Sequence, residues 1–361
     1  MNVARHAAAQ ARWEYGSQFH WQRLRAGMQQ GELPWATQSV RLGCGRDALR
    51  VVVDEIGPSR LWLPSYLCQE LVTPFVGSDV ELCCYADGPL EVSLDLRGIA
   101  LRPHDAILVV NYFGLAGRSR VLATDVQGVT VIEDHTHDPC STWAQSSQAD
   151  YCFASLRKSI PIPDGAVLWS PRDRDLPQFP PQEPERSRPI QQLLSGMLMK
   201  ALYLDGHRVS KPSFRQLLHD GEEQIAQGTI SAISPLSGAV LDGFPFEDWR
   251  SARRNNFERL ATGLRSAESF AVIEPTDPHA APFAVACVFE EADSCAVAHR
   301  SLVQRNVYPS RLWPLDEPAL EGIPDEHIQL ARRMFALPCD GRYGPGDIDR
   351  VLQAFGHAGL V

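Results

Sequence analysis

From position 40 onward, short apolar runs alternate with segments whose apolar residues recur every three to four positions. Residues 105–112 (DAILVVNY) are apolar almost without interruption, the pattern of a strand buried on both faces. Residues 129–134 form a second such run ending in acid, at Glu133 and Asp134. Further strands are predicted at 60–64, 80–85, 151–155 and 165–170. Between them, the turn Gly43-Cys44-Gly45 opens a helix, and 69–75 carries a second helical stretch. Closely spaced strands alternating with helices predict an α/β fold, a mostly parallel central sheet with helices on both faces. Ligands of such sheets bind beyond the carboxyl ends of the strands.

Past 170 the pattern changes. Residues 171–189 are rich in proline and charge and read as a loop, followed by helices at 190–204 and 214–227. A long amphipathic helix over 246–266 leads to a strand at 283–289 and helices at 296–304 and 347–355. The predicted organisation is an N-terminal arm (1–38) containing a short helix, a large domain (39–245) and a smaller C-terminal α+β domain (246–361).

The chain has 361 residues, 44% hydrophobic and 22% charged, with a net charge of −10. That balance argues against a nucleic-acid or anionic-membrane partner, so an anionic ligand needs a local basic pocket. The nine cysteines include no CxxC pair, and the expectation is reduced thiols in a cytoplasmic protein. The first 25 residues lack the uninterrupted apolar core of a signal peptide, and no later segment is long and apolar enough to span a bilayer.

Lys158 follows the apolar run 151–154 and precedes a proline-rich turn. Walled by apolar residues, such an amine loses solvation and forms a Schiff base with a carbonyl; an ordinary surface lysine fits the same position. Asp134 ends a buried strand, either as a turn or helix-capping aspartate or as the partner of a cationic ring nitrogen. Gly45 and Arg46 open a helix whose amides suit a phosphate, although Gly-x-Gly turns are common. Ser155, three residues before Lys158, either adds a hydroxyl to that phosphate or is a solvated turn serine. His135, His137 and Cys140 lack a second half at zinc-ligand spacing, so no metal is expected. No Gly-x-Ser-x-Gly elbow supports a serine hydrolase.

In order and spacing, Leu42-Gly43-Cys44-Gly45-Arg46-Asp47, Leu63-Pro64-Ser65-Tyr66-Leu67-Cys68, Val131-Ile132-Glu133-Asp134-His135-Thr136-His137 and Ser155-Leu156-Arg157-Lys158 resemble the DegT/StrS family. The resemblance continues through Tyr308-Pro309-Ser310-Arg311 to the segment 337–343. It implies a fold-type-I enzyme that uses pyridoxal 5'-phosphate. The implied reaction is transamination from an amino-acid donor, glutamate first, to a keto acceptor, with a nucleotide-linked keto sugar as first choice. It implies Lys158 as the Schiff-base lysine, Asp134 as partner of the pyridine nitrogen and His137 beside the phenolic oxygen. Gly45, Arg46 and Ser155 fall at the phosphate, Tyr66 and Cys68 at the ring. Asn111, Arg157, Tyr308 and Arg311 fall on the substrate side, with Arg342 a further candidate.

It also implies a homodimer with sites at the interface, residues 227–237 reaching toward the neighbour. Departures mark a divergent member. Arg46 replaces the usual Ser or Thr, Cys68 the stacking Phe or Trp, Phe153 a phosphate-binding serine and Arg157 a threonine. Tyr66 or Tyr112 is left as a ring-stacking substitute. The sugar-dehydrating members carry histidine in place of the lysine, so Lys158 argues against that branch. The alternatives are a pyridoxal-phosphate enzyme of elimination, substitution or C–C bond formation, and a non-catalytic regulatory protein.

Overall fold

The computed structural model describes residues 11–22, 33–91, 94, 98–115, 127–179 and 184–361; the short helix expected near the N-terminus lies outside them. In chain order the strands are β1 (Tyr15–Gly16), β2 (Val40–Leu42), β3 (Arg60–Pro64), β4 (Glu81–Tyr85), β5 (Asp105–Val110), β6 (Thr130–Asp134), β7 (Tyr151–Ala154), β8 (Ala166–Trp169), β9 (Phe270–Val272), β10 (Ala284–Phe289), β11 (Val307–Tyr308) and β12 (Met334–Pro338). The helices are α1 (Gly45–Ile56), α2 (Thr142–Ser146), α3 (Pro184–Leu204), α4 (Lys211–Gln227), α5 (Pro235–Asp242), α6 (Phe246–Leu264), α7 (Ala292–Val303), α8 (Asp325–Arg332) and α9 (Pro345–His357).

Seven strands form the central sheet in the order β2-β8-β7-β6-β5-β3-β4. Neighbours are parallel except at β8, which is antiparallel to both β7 and β2. The unbroken apolar β5 is buried at all its positions, as expected of a strand covered on both faces. Alternation sorts the side chains of β6. Ile132 joins Leu49 and Val52 of α1 in one core. Val131 joins Trp143, Trp169 and Phe244 in the other. Asp134 therefore shares a face with α1, and Glu133 points the opposite way.

Several elements differ from the sequence expectation. Residues 69–75 make two single turns of 3-10 helix, Gln69–Leu71 and Thr73–Phe75, because Pro74 disfavours α geometry in the residue before it. α3 begins inside the segment expected to be a loop and carries Pro189, at the cost of one ladder hydrogen bond. Its burial against α4 outweighs that cost. A Cβ on Gly196 would lie 2.7 Å from Leu218, and one on Gly221 would lie 2.6 Å from Leu193, so the two glycines let the helices approach closely. The sequence reading places no element at α2, α5, α8, β1, β2, β9, β11 or β12.

The C-terminal part is a three-stranded antiparallel sheet, β12-β10-β9, packed with α6, α7 and α9. The arm is tied to it. β1 pairs with β11 in parallel, Tyr15 stacks on Tyr343 at 4.0 Å, and Trp13 Nε1 donates to Asp347 at 2.8 Å.

Candidate active site

Strand register sets out the floor of the site. Val110, Asp134 and Phe153 are partners across β5, β6 and β7, all at the carboxyl edge. The chain leaves these strands as Asn111, as His135-Thr136-His137 and as Ser155-Leu156-Arg157-Lys158. α1 starts on the same edge at Gly45. Its N-cap, Cys44, supplies no side-chain cap, so the first-turn amides have few partners. The Gly45 N–H donates to Ser155 Oγ at 3.3 Å. A Cβ at Gly45 would lie 2.8 Å from the Ser155 Cβ, so only glycine allows this approach.

Two cavities meet here. The smaller, about 220 Å³, is lined by Gly45, Arg46, Cys68, Asn111, Asp134, His137 and Ser155, among others. The larger, about 940 Å³, lies between the arm, α3, α4 and the small sheet. Arg157, Lys158, Phe283 and Leu312 line both, so Lys158 stands at the junction. It is exposed on a 3-10 turn rather than walled in, contrary to the desolvation expected of it.

Asp134 is buried, and burial pushes its carboxyl above the usual range, opposed by hydrogen bonds from Thr136. The Thr136 N–H donates to Asp134 Oδ1 at 2.8 Å. No cation pairs with Asp134 among the described residues. A buried carboxylate without a counter-charge suits a cationic ligand group. His137 has the reverse setting. Burial, Arg253 and Lys158 lower its pKa to about 3, so the ring is neutral. Its Nδ1 accepts the Phe113 N–H at 2.9 Å, which leaves the proton on Nε2 as a donor. The ring lies against Phe283 (4.6 Å) and Trp313 (5.5 Å).

Asn111 donates to Ser141 Oγ at 3.2 Å, while its Oδ1 is buried without a partner. Arg157 Nε is likewise buried and unpartnered, although its Nη1 reaches Glu222 on α4. Arg46 is 8% exposed, with Glu70 at 3.9 Å.

Nine of the expected residues thus line the smaller cavity: Gly45, Arg46, Cys68, Asn111, Asp134, His137, Ser155, Arg157 and Lys158. Tyr66, Tyr308 and Arg311 line neither cavity. The Tyr66 hydroxyl donates to the Leu312 carbonyl at 2.7 Å, and that of Tyr112 to the Tyr66 carbonyl. Neither offers a ring face; Phe153, Phe283 and Trp313 supply the aromatic lining instead. Lys211 donates to the Tyr308 hydroxyl at 3.0 Å. Arg311 is exposed. Arg342 does line the larger cavity, but Asp340 holds it through two contacts of 2.8 Å. Within 227–237, Ser231, Ser234 and Ser237 are buried against this chain: the Gly43 N–H donates to the Ser231 carbonyl, and Asp164 accepts from Ser234 and Ser237.

Four contributors escaped the sequence reading. Thr136 accepts the Ser155 N–H at 2.9 Å and so joins the β6 and β7 loops. Arg253 on α6 donates to the carbonyls of His137 (2.9 Å) and Ser159 (3.4 Å), clamping the acid loop to the lysine turn. Glu222 and Trp313 come from distant segments. Arg253 had a local signal, as a cation inside an amphipathic helix, and Thr136 stood within the motif that ends β6.

No family model matches the chain, and no curated protein matches it. Solved structures do. The aminotransferase TlmJ from Streptoalloteichus hindustanus superposes with TM-score 0.59 at 17% identity, covering 89% of this chain and 85% of that one. DesI, solved with its TDP-sugar product, gives 0.61 at 16% identity over 91% and 82%. A DegT DnrJ EryC1 StrS aminotransferase from Brucella abortus gives 0.55 at 17% identity over 89% and 86%. The seven-stranded sheet with its single reversed strand, the small C-terminal sheet and these superpositions give the chain the fold of the fold-type-I aminotransferases.

Proposed function

We propose that the chain is a pyridoxal 5'-phosphate-dependent aminotransferase that moves an amino group from an amino-acid donor, glutamate first, to a keto group. A nucleotide-linked keto sugar is the first acceptor to test. Residues 39–245 would hold the cofactor and 246–361 would close over it, in a cytoplasmic homodimer. The observation that carries the reading is the constellation in and beside the smaller cavity: Lys158 at its mouth, a buried unpaired carboxylate at Asp134, a neutral donor at His137, and the start of α1 with Arg46 and Ser155.

These residues fit the cofactor. The buried Asn111 Oδ1 and Arg157 Nε have no partners, and the Gly45–Ser155 approach would be closed by any Cβ. The α1 amides, Arg46 and Ser155 would hold the phosphate. Asp134 would face the ring nitrogen and His137 Nε2 the phenolic oxygen. When bound, the cofactor supplies an electron sink for the carbon losing its proton. Lys158 Nζ would carry that proton between substrate and cofactor carbons. Arg253 keeps the acid loop and the lysine turn in register. Phe283 and Leu312 line both cavities at the junction and would cover the cofactor on that side.

The test is uptake of pyridoxal phosphate followed by visible absorption, then borohydride reduction and peptide mapping. The mass should fall on Lys158; a label on Lys200 or Lys211 overturns the assignment. Half-reactions with a panel of amino acids then identify the donor, and Asp134→Asn should turn over at least ~10²-fold more slowly. Light scattering that finds an active monomer would refute the dimer.

A further inference from the structure

We infer that the larger cavity receives an elongated acceptor whose far end is anionic, and that Arg215 on α4 takes that end. This rests on the proposed function, because it places the acceptor's reacting carbonyl at Lys158.

The chain carries −10 overall, yet this cavity is lined by Arg157, Lys158, Lys211, Arg215 and Arg342 against two carboxylates, Glu222 and Asp340. A locally cationic cavity in an acidic protein concentrates anions. Most of these cations are engaged. Arg157 is paired with Glu222, Arg342 with Asp340, and Lys211 with Glu14 and the Tyr308 hydroxyl. Arg215 is exposed and makes no hydrogen bond or ion pair among the described residues. Its guanidinium is the free fork in the cavity wall, suited to phosphate or carboxylate.

Helical spacing fixes how far the anion stands from the chemistry. Lys211, Arg215, Leu218 and Glu222 all line the cavity. They fall at i, i+4, i+7 and i+11, one stripe of α4. Glu222 marks the end of that stripe next to Arg157, the neighbour of Lys158. Arg215 lies seven residues before it, roughly 10 Å along the axis at the helical rise. An acceptor that meets both Arg215 and Lys158 bridges that span. The lining carries apolar Phe19, Ile162, Leu193, Met197 and Leu218 beside polar Gln18, Gln216 and His219. The acceptor class is therefore a carbonyl compound with a body of that length and a phosphate or carboxylate at the far end. Arg311 is exposed and outside both cavities.

The test titrates the chain, loaded with pyridoxal phosphate so that the cofactor's own phosphate site is filled, with inorganic pyrophosphate and separately with a straight-chain dicarboxylate, adipate. Calorimetry at low salt should show saturable binding, and the tighter probe names the anion. Arg215→Ala should weaken it at least ~10-fold, the loss expected for a charge-assisted contact. Arg215→Lys should recover part of it, and Arg300→Ala on α7 should change nothing. Wild-type binding by Arg215→Ala, or no saturable binding of either anion by the parent chain, overturns the inference. The same titration without cofactor separates the two readings. Arg215-dependent binding in a chain that takes up no pyridoxal phosphate keeps the anion site and removes the proposed function. Normal cofactor loading with Arg215-independent binding does the reverse.

Discussion

Replacing Glu222 by Gln removes one charge from the Arg157–Glu222 pair while keeping size and an acceptor oxygen. The Arg157 side chain is 5% accessible and that of Glu222 31%, so the pair is neither fully buried nor a surface pair. Breaking a buried pair from one side costs about 3–5 kcal/mol, and breaking an exposed one less than about 1 kcal/mol. Exposure of Glu222 lets water take over part of the lost interaction, which places the expected loss near 2 kcal/mol. Burial raises the Glu222 carboxyl, but the charges of Arg157 and Lys158 outweigh it and hold it below its ordinary value of 4.5. A carboxyl depressed in the folded chain stabilises it fully above about pH 4.5 and loses that contribution as pH falls through the lower, folded value. Urea denaturation should therefore show a lower midpoint for Glu222→Gln at pH 7, with the gap to the parent closing in acid. Equal midpoints at pH 7, or a gap that stays constant down to pH 3, would show that the charge pair contributes nothing.

Other expectations follow from neighbouring groups. Because His137 is held at about 3, it binds its proton only far below an unfolded histidine. Between pH 6.5 and 3, stability should rise with pH by up to about 1.4 kcal/mol per unit from this residue, and His137→Gln should flatten that slope. Gly45→Ala should cost about 1–3 kcal/mol through its clash with Ser155 and abolish pyridoxal phosphate uptake, which absorption of the loaded chain measures. Of the nine free cysteines, Cys68, Cys83 and Cys84 are partly exposed and the rest buried, so a thiol reagent should label three in the native chain. Cofactor loading should protect Cys68, which lines the smaller cavity, and leave the other two reactive.

Much of the floor of the site was legible because it is local. Asp134, His137, Ser155 and Lys158 sit where apolar strands end, and the end of a buried run can be found by counting. The walls were not. Glu222 reaches Arg157 across 65 residues, and Trp313 meets His137 from the far part of the chain; no periodicity encodes such a meeting. Tyr66 and Tyr112 looked like ring platforms because aromatics stood at the right places in sequence, but their hydroxyls found carbonyl partners and their rings turned into the core. Arg311, expected on the substrate side from its turn, lies exposed and outside both cavities. The start of α3 was hidden by prolines, whose local preference the packing of Leu193 and Met197 against α4 overrode.

The pairing of the arm with the small sheet sets an order of events during synthesis. The seven central strands are complete once residue 169 has emerged, but Tyr15 and Gly16 must wait for Val307 and Tyr308, and Tyr15 for Tyr343. Contacts of such long sequence separation form late, after the loop they close has been ordered by other means. Ser17, Gln18 and Phe19 follow directly and line the larger cavity. A nascent chain can thus assemble its sheet while both cavities still lack walls, the smaller awaiting Phe283, Leu312 and Trp313 and the larger the arm as well. Closure of the arm's wall coincides with the last fifty residues joining the body.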